Sequence, residues 1–360
     1  MSEPGRRLDA LTPLRAIAAF AVFLYHFQWV LDPSAVKGTW SWYRFGFSQG
    51  FLGVSFFFVL SGFVLTWSGT ERALDTKRDF YVRRFARVWP NHGAIWLAWA
   101  GLVFLGVEHT GMLAAFANLF LVQSWFVNSK IAFSMVAPSW SLSVEVFFYL
   151  CFPFLLPSAI RCGPRVRAQI AGLLGAVYIV VPVLLRHASH DVKGYPYHFP
   201  PYRMIEFVLG IFLALSLREG RFVKVPVAVA SAVCAVAYCA AGLISNDFAP
   251  VVTLLPFLLL IGSVAQADLA KPQTTTRSWA VHLGVVSFAF YLTQSLVLAL
   301  AHQRLFKHIT KWGMAERGIV FVALLLVSLG LAQLLHEIVE KNAERFLRRE
   351  LLGRPAEASQ

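Results

Sequence analysis

The chain has 360 residues, 58% of them apolar and only 14% charged, with a net charge of +13. An ordinary soluble domain is about 25% charged, so these values and a mean hydropathy of +0.62 exclude a disordered chain and argue against a soluble enzyme with a polar coat. Ten membrane helices of roughly 20 residues would take roughly 200 residues, which leaves no room for a large soluble domain.

The predicted elements are ten spans, 14–31, 51–68, 88–107, 140–157, 168–186, 203–217, 225–243, 248–266, 281–300 and 318–339. They make an all-α polytopic bundle, expected to form a single integral membrane domain over residues 1–350 with a short cytoplasmic tail, 351–360. Arg6 and Arg7 followed by an apolar run resemble a signal peptide. No small-residue cleavage site follows, so that run reads as the first span. Met112–Phe126 is apolar but too short to cross, and it reads as re-entrant or interfacial.

Charge gives an orientation. With the N-terminus inside, 21 of the 32 Lys and Arg fall in inner segments and 8 in outer loops, which places both termini in the cytoplasm. The last outer loop, with Arg304, Lys307, Lys311 and Arg317, runs against this trend. No nucleic-acid motif is present. Cys151, Cys162, Cys234 and Cys239 lack metal-ligand spacing and read as small core residues. No metal site is expected, since His336-Glu337-Ile338-Val339-Glu340 lacks the second histidine of a zinc-protease helix.

Ionisable residues inside spans need a reason. Arg15 and His26 lie eleven residues apart in the first span. At ~100° and 1.5 Å per residue they share a face within ~20° and stand ~16 Å apart. Snorkelling by Arg15 and an interhelical hydrogen bond by His26 is an equally good structural reading. Arg83, Arg84 and Arg87 open the third span. Guanidiniums at a cytoplasmic helix start bind phosphates bidentately, or simply anchor the helix. Glu145 lies about one and a half turns into the fourth span and calls for a cation, a proton or a wet cavity, with His26 or an arginine as natural partner. Arg203 and Glu206 read as an intrahelical ion pair. The small and polar residues of Leu283–Gln294 read as helix packing.

Taken in order, these segments resemble the acyltransferase-3 family of membrane O-acetylases. The likeness runs from Leu14-Arg15 and Arg-x10-His26 through Gly50-Phe-Leu-Gly53 to Ser61-Gly62-Phe63. It continues through Arg83-Arg84-x-x-Arg87 and Pro90, Trp140-Ser141-Leu142-x-x-Glu145-x-x-Phe148-Tyr149, Arg203…Glu206-Phe207-x-x-Gly210 and Ser287-Phe288-x-x-Tyr291-Leu292. The chain departs from the family at Gln294, often His, and at Glu340-Lys341-Asn342, often Glu-x-Pro.

The resemblance implies an acyl-CoA donor, usually acetyl-CoA, on the cytoplasmic side of an inner membrane. It also implies an acceptor hydroxyl on a carbohydrate or glycolipid, which could belong to lipopolysaccharide, a secreted polysaccharide, peptidoglycan or a macrolide-like molecule. On this reading Arg83, Arg84 and Arg87 hold the donor's phosphates. Arg15 lines the path inward, and His26, tuned by Glu145, is the general base or an acyl carrier. Trp140, Ser141 and Tyr149 contact the acceptor, whose ring could stack on Trp140 or Trp125. The competing reading is a transporter of a glycolipid or small anion, which would share the spans and intramembrane charges. Oligomeric state is not legible.

Overall fold

A computed structural model describes residues 8–28, 30, 46–69, 76–270, 278–309 and 312–352. Several of the counted basic residues (Arg6, Arg7, Lys37, Arg44, Arg72, Lys271, Arg277, Lys311 and Arg354) and the tail 353–360 lie outside the described residues. The described residues are helical and contain no strand. The helices are α1 (Leu11–Phe27), α2 (Leu52–Gly69), α3 (Lys77–Phe104), α4 (Met112–Leu119), α5 (Trp140–Arg161), α6 (Pro164–Leu185), α7 (His190–His198), α8 (Pro200–Arg218), α9 (Val227–Ala241), α10 (Ala249–Ala270), α11 (Ser278–Ile309), α12 (Met314–Leu335) and α13 (Lys341–Leu352).

Nine of the ten predicted spans coincide with one of these helices, to within a few residues except at the end of α11. Seven (α2, α5, α6, α8, α10, α11 and α12) are long and apolar enough to cross a membrane, while α1 and α9 are shorter apolar helices. The predicted third span is the exception. It falls within α3, a 28-residue helix that starts at Lys77, one turn and more before the arginines, and its polar residues keep it out of the apolar class. Between the fifth and sixth predicted spans the chain forms a further helix, α7, with His198 buried.

Local chemistry sets the boundaries. Thr76 caps α3 by accepting from the Asp79 N–H at 3.1 Å, while Asp79 accepts from the Thr76 N–H at 3.4 Å, a capping box. Prolines open α6 and α8, where a missing N–H costs nothing. Gly106 and Gly220 have φ of 70° and 67° and close α3 and α8. The N–H groups of Val107 and Arg221 reach back to Leu102 O and Ser216 O, both at 2.9 Å.

The chain folds into two compact units that are interleaved in sequence. The first is Met1–Gln28, Pro33–Ala73 and Cys151–Val285, and the second is Trp29–Asp32, Leu74–Leu150 and Val286–Gln360. In the first unit, α2 and α8 cross at backbone distance. A Cβ on Gly62 would collide with the Phe207 carbonyl oxygen, and one on Gly210 with that of Val59. Small residues are how helices associate in lipid, where no hydrophobic force pulls them together. The two helices run in the same direction, as contacts of Ser55 with Arg203 and of Trp67 with Arg218 show.

Beside this crossing lies a fully buried polar clamp. Arg203 Nη1 sits 3.2 Å from Glu206 Oε1, and Arg203 Nη2 donates to Ser55 Oγ at 2.9 Å. The Tyr178 hydroxyl of α6 donates to Glu206. Phe58 lies 5.1 Å from the guanidinium, and Tyr202 stacks on Tyr178 at 4.9 Å. The expected intrahelical pair is therefore present, and it also pins three helices. Outward faces carry the opposite chemistry: Leu173, Leu184, Val236, Leu255 and Leu326 are all more than 60% exposed, as befits a lipid-facing surface. The protein is an integral membrane protein.

Replacing one member of a buried ion pair strands the other, at a cost of roughly 3–5 kcal/mol. Glu206→Gln is therefore expected to lower the melting temperature of the detergent-purified protein sharply. Replacing both (Arg203→Met with Glu206→Gln) should recover part of the loss, measured by intrinsic fluorescence on heating.

Candidate active site

In the first unit, α1 carries Arg15 and His26, both half-buried. An adjoining face of α1 is set by glycines. A Cβ on Gly50 would meet the Ala21 carbonyl and the Tyr25 Cβ, and one on Gly53 the Ala18 carbonyl and Val22. The Ala10 N–H at the start of α1 donates to Asp268 of α10 at 3.2 Å. At the other end, the His26 ring lies 5.5 Å from that of Tyr25. Tyr25 meets Phe51 edge-on at 5.5 Å, and Phe51 meets Tyr197 at 5.8 Å. The imidazole thus ends an aromatic row fixed between α1, the start of α2 and α7.

In the second unit, α3 and α5 bring the arginines and the carboxylate together. Glu145 accepts from the Tyr149 hydroxyl, one turn further along α5. The Arg84 guanidinium stands 5.7 Å from the Tyr149 ring and 5.9 Å from the Phe80 ring, a pair of cation–π contacts. Phe80 meets Tyr149 edge-on at 6.4 Å, and the Tyr81 hydroxyl donates to Leu150 O at 3.1 Å. Arg87 lies within electrostatic reach of Tyr149, Glu340, Glu145 and Glu344, and Arg83 is buried on the same helix. Of the two partners expected for Glu145, the arginines are the ones in its own unit, and Tyr149 supplies a hydrogen bond that the sequence did not announce.

Trp140 is buried and meets Phe133 at 6.2 Å, while Trp125 is 42% exposed against Phe147. Ser141 Oγ and the Tyr291 hydroxyl share a hydrogen bond at 2.9 Å and lie 2.9 and 3.0 Å from Pro138 O. The Ser-x-x-x-Tyr segment of α11, read as helix packing, therefore also locks the start of α5. Gln294 is fully buried in α11.

Two groups of residues escaped sequence reasoning. His336 and Glu340 bracket a single π-helical turn between α12 and α13. His336 Nδ1 and Asn91 Nδ2 both contact Glu340 Oε2, at 2.9 and 3.0 Å. Such turns recur at functional sites, and a glutamate in an apolar run was the available signal. The second group is His92, Asn118, Gln123 and Ser139, all fully buried. The available signal was that Asn118 and Gln123 are polar residues inside the apolar run Met112–Phe126.

The same residues fall within a known family. The acyltransferase-3 family, described as an acyltransferase domain, matches residues 8–337. The chain is 34% identical to the acyltransferase MdmB of Streptomyces mycarofaciens, over 95% of this chain and 93% of that one. It is 31% identical to the peptidoglycan O-acetyltransferase OatA of Listeria monocytogenes over 48% of this chain and 29% of that protein. It is 26% identical to the O-acetyltransferase OatA of Staphylococcus aureus over 58% and 34% respectively. No solved structure matches the chain.

Tyr149→Phe removes one hydroxyl and leaves the ring against Arg84. A hydrogen bond to a charged group is worth about 1.5–3 kcal/mol, so a lower melting temperature with unchanged helicity is the expected result in heated circular-dichroism scans.

Proposed function

The chain belongs to the acyltransferase-3 family of membrane acyltransferases, and from that premise we propose that it moves an acyl group, acetyl in the first instance, from cytoplasmic acyl-CoA to a hydroxyl of a carbohydrate or glycoconjugate. Membership sets aside the transporter reading. The observation that carries the proposal is the cluster on α3 and α5: Arg84 held between Phe80 and Tyr149, with Arg83 and Arg87 on the same helix and Glu145 hydrogen-bonded to Tyr149. A coenzyme A carries phosphates at one end and a thioester at the other, and a rim of guanidiniums matches the first of these.

Arg83, Arg84 and Arg87 bind the phosphates, and Arg15 draws the chain of the donor inward. His26 takes the proton of the acceptor hydroxyl as its oxygen attacks the thioester carbonyl. The new C–O bond forms and the C–S bond breaks, and the proton is then delivered to the departing thiolate. Glu145 steadies the positive charge in the site, and Trp140, Ser141 and Tyr149 form the acceptor's surroundings. The name of the Listeria relative supports a cell-wall glycan among the candidate acceptors. The basic-residue bias supports an inner-membrane protein with both termini in the cytoplasm.

Purified protein given radiolabelled acetyl-CoA and crude glycan acceptors is expected to label the glycan. His26→Ala should abolish transfer and keep donor binding, and unchanged turnover in an inserted His26→Ala protein would exclude the base. Arg84→Lys keeps the charge and loses the planar stack, so donor KM should rise about tenfold with kcat little changed.

A further inference from the structure

The segment between α3 and α5 folds back along α3. Trp96 Nε1 donates to Ala115 O at 3.2 Å, and one turn earlier on α3 His92 Nε2 lies 3.0 Å from Asn118 O. Helix α4 therefore runs antiparallel to α3 and ends beside His92, about one and a half turns from Arg87. The apolar run too short to cross, read as re-entrant or interfacial, thus packs against α3. Polar backbone at membrane depth is tolerated when it is buried in protein or lines a cavity.

The hydrogen bonds of this segment can be assigned proton by proton. Ser139 Oγ donates its one proton to Val136 O at 2.6 Å. It must then accept from both amides that face it, Asn118 Nδ2 at 3.0 Å and Gln123 Nε2 at 3.1 Å. The second Asn118 amide proton goes to Ser134 O at 2.8 Å. Neither amide can be flipped without placing oxygen against oxygen. A carbonyl only accepts, so the proton of the neutral His92 ring is on Nε2, directed to Asn118 O.

What remains is three buried atoms with no partner: His92 Nδ1, Asn118 Oδ1 and Gln123 Oε1. By the same assignment, each is a hydrogen-bond acceptor. Leu121 and Met135, which flank the segment, have φ of 56° and 53° despite their side chains and are buried, so the surroundings hold a strained backbone in place. Ser139 immediately precedes Trp140, the first residue of the helix that carries Glu145.

We propose that His92, Asn118 and Gln123 form a hydroxyl-recognition site for the acyl acceptor. Three fixed acceptors without donors suit a neutral polyhydroxylated group such as a sugar ring, and they repel a phosphate or carboxylate. That the occupant is the acyl acceptor rests on the reaction proposed above, whereas that it is a hydroxyl donor rests on the hydrogen-bond assignment alone.

The test is direct binding, free of turnover. The intact protein in nanodiscs is titrated with methyl β-glucoside and with glucose 6-phosphate, followed by saturation-transfer NMR, and separately with coenzyme A. His92→Phe and Gln123→Met keep side-chain volume and remove one bare acceptor each. The expected result is that wild type binds the glucoside and that glucose 6-phosphate competes poorly. Each variant should bind the glucoside about tenfold more weakly, with coenzyme A affinity held, while the loss of the His92–Asn118 or Gln123–Ser139 hydrogen bond lowers the melting temperature by a few degrees.

Glucoside binding that is absent in the wild type, or equal in wild type and folded variants, overturns the site and leaves the network to buried water. A loss of coenzyme A affinity in both variants that matches the loss of glucoside affinity also counts against it, as the mark of a purely structural role. Wild type that binds the glucoside as expected but transfers no acyl group keeps the site and removes the reaction beneath it.

Discussion

The first unit depends on two helices whose backbones touch. Where Gly62 of α2 meets Phe207 of α8, and Gly210 of α8 meets Val59 of α2, no side chain stands between them. In water a hydrophobic core would forgive a looser fit. In lipid the surroundings are as apolar as the helix, so close packing and internal hydrogen bonds must supply the specificity. The Arg203–Glu206 pair does so beside the crossing, with Ser55 and Tyr178 each adding a hydrogen bond to it. Because α2 also receives α1 at Gly53, the placement of Arg15 and His26 follows from the same close fit.

The second unit is organised by polar contacts instead. Arg84 between two rings, Glu145 under the Tyr149 hydroxyl, Ser141 with Tyr291 on one carbonyl, and Glu340 with His336 and Asn91 tie together segments distant in sequence. These groups would be costly if left alone in hydrocarbon. Their pairing makes the unit specific, and it concentrates charge and hydroxyl groups in one part of the fold.

Much of this is legible in the sequence. The spans are readable because twenty apolar residues in a row have few other uses, and the arginines and Glu145 because a charge in such a run is conspicuous. Partnerships are harder to read. Tyr178 and Ser55 look like ordinary helix residues until α6 and α2 are brought against α8, and nothing local marks them. Hydropathy starts the third span too late in the chain because six of the first eleven residues of α3 are charged, although the Thr76–Asp79 box is a readable start. The amides of Asn118 and Gln123 are visible, but their meaning depends on which proton Ser139 has already given away.

Helix α3 has one more consequence. Its 28 residues extend about 42 Å at 1.5 Å per residue, against a hydrocarbon slab of about 30 Å. A helical rod of that length either leans or projects where it meets the bilayer, and fractions of a kcal/mol per ångström of mismatch decide between the two. The arginines near one end and His92 farther along are fixed to the same rod. A thinner or thicker bilayer would therefore shift the depth of both together, which makes lipid chain length a natural tuning variable for this protein.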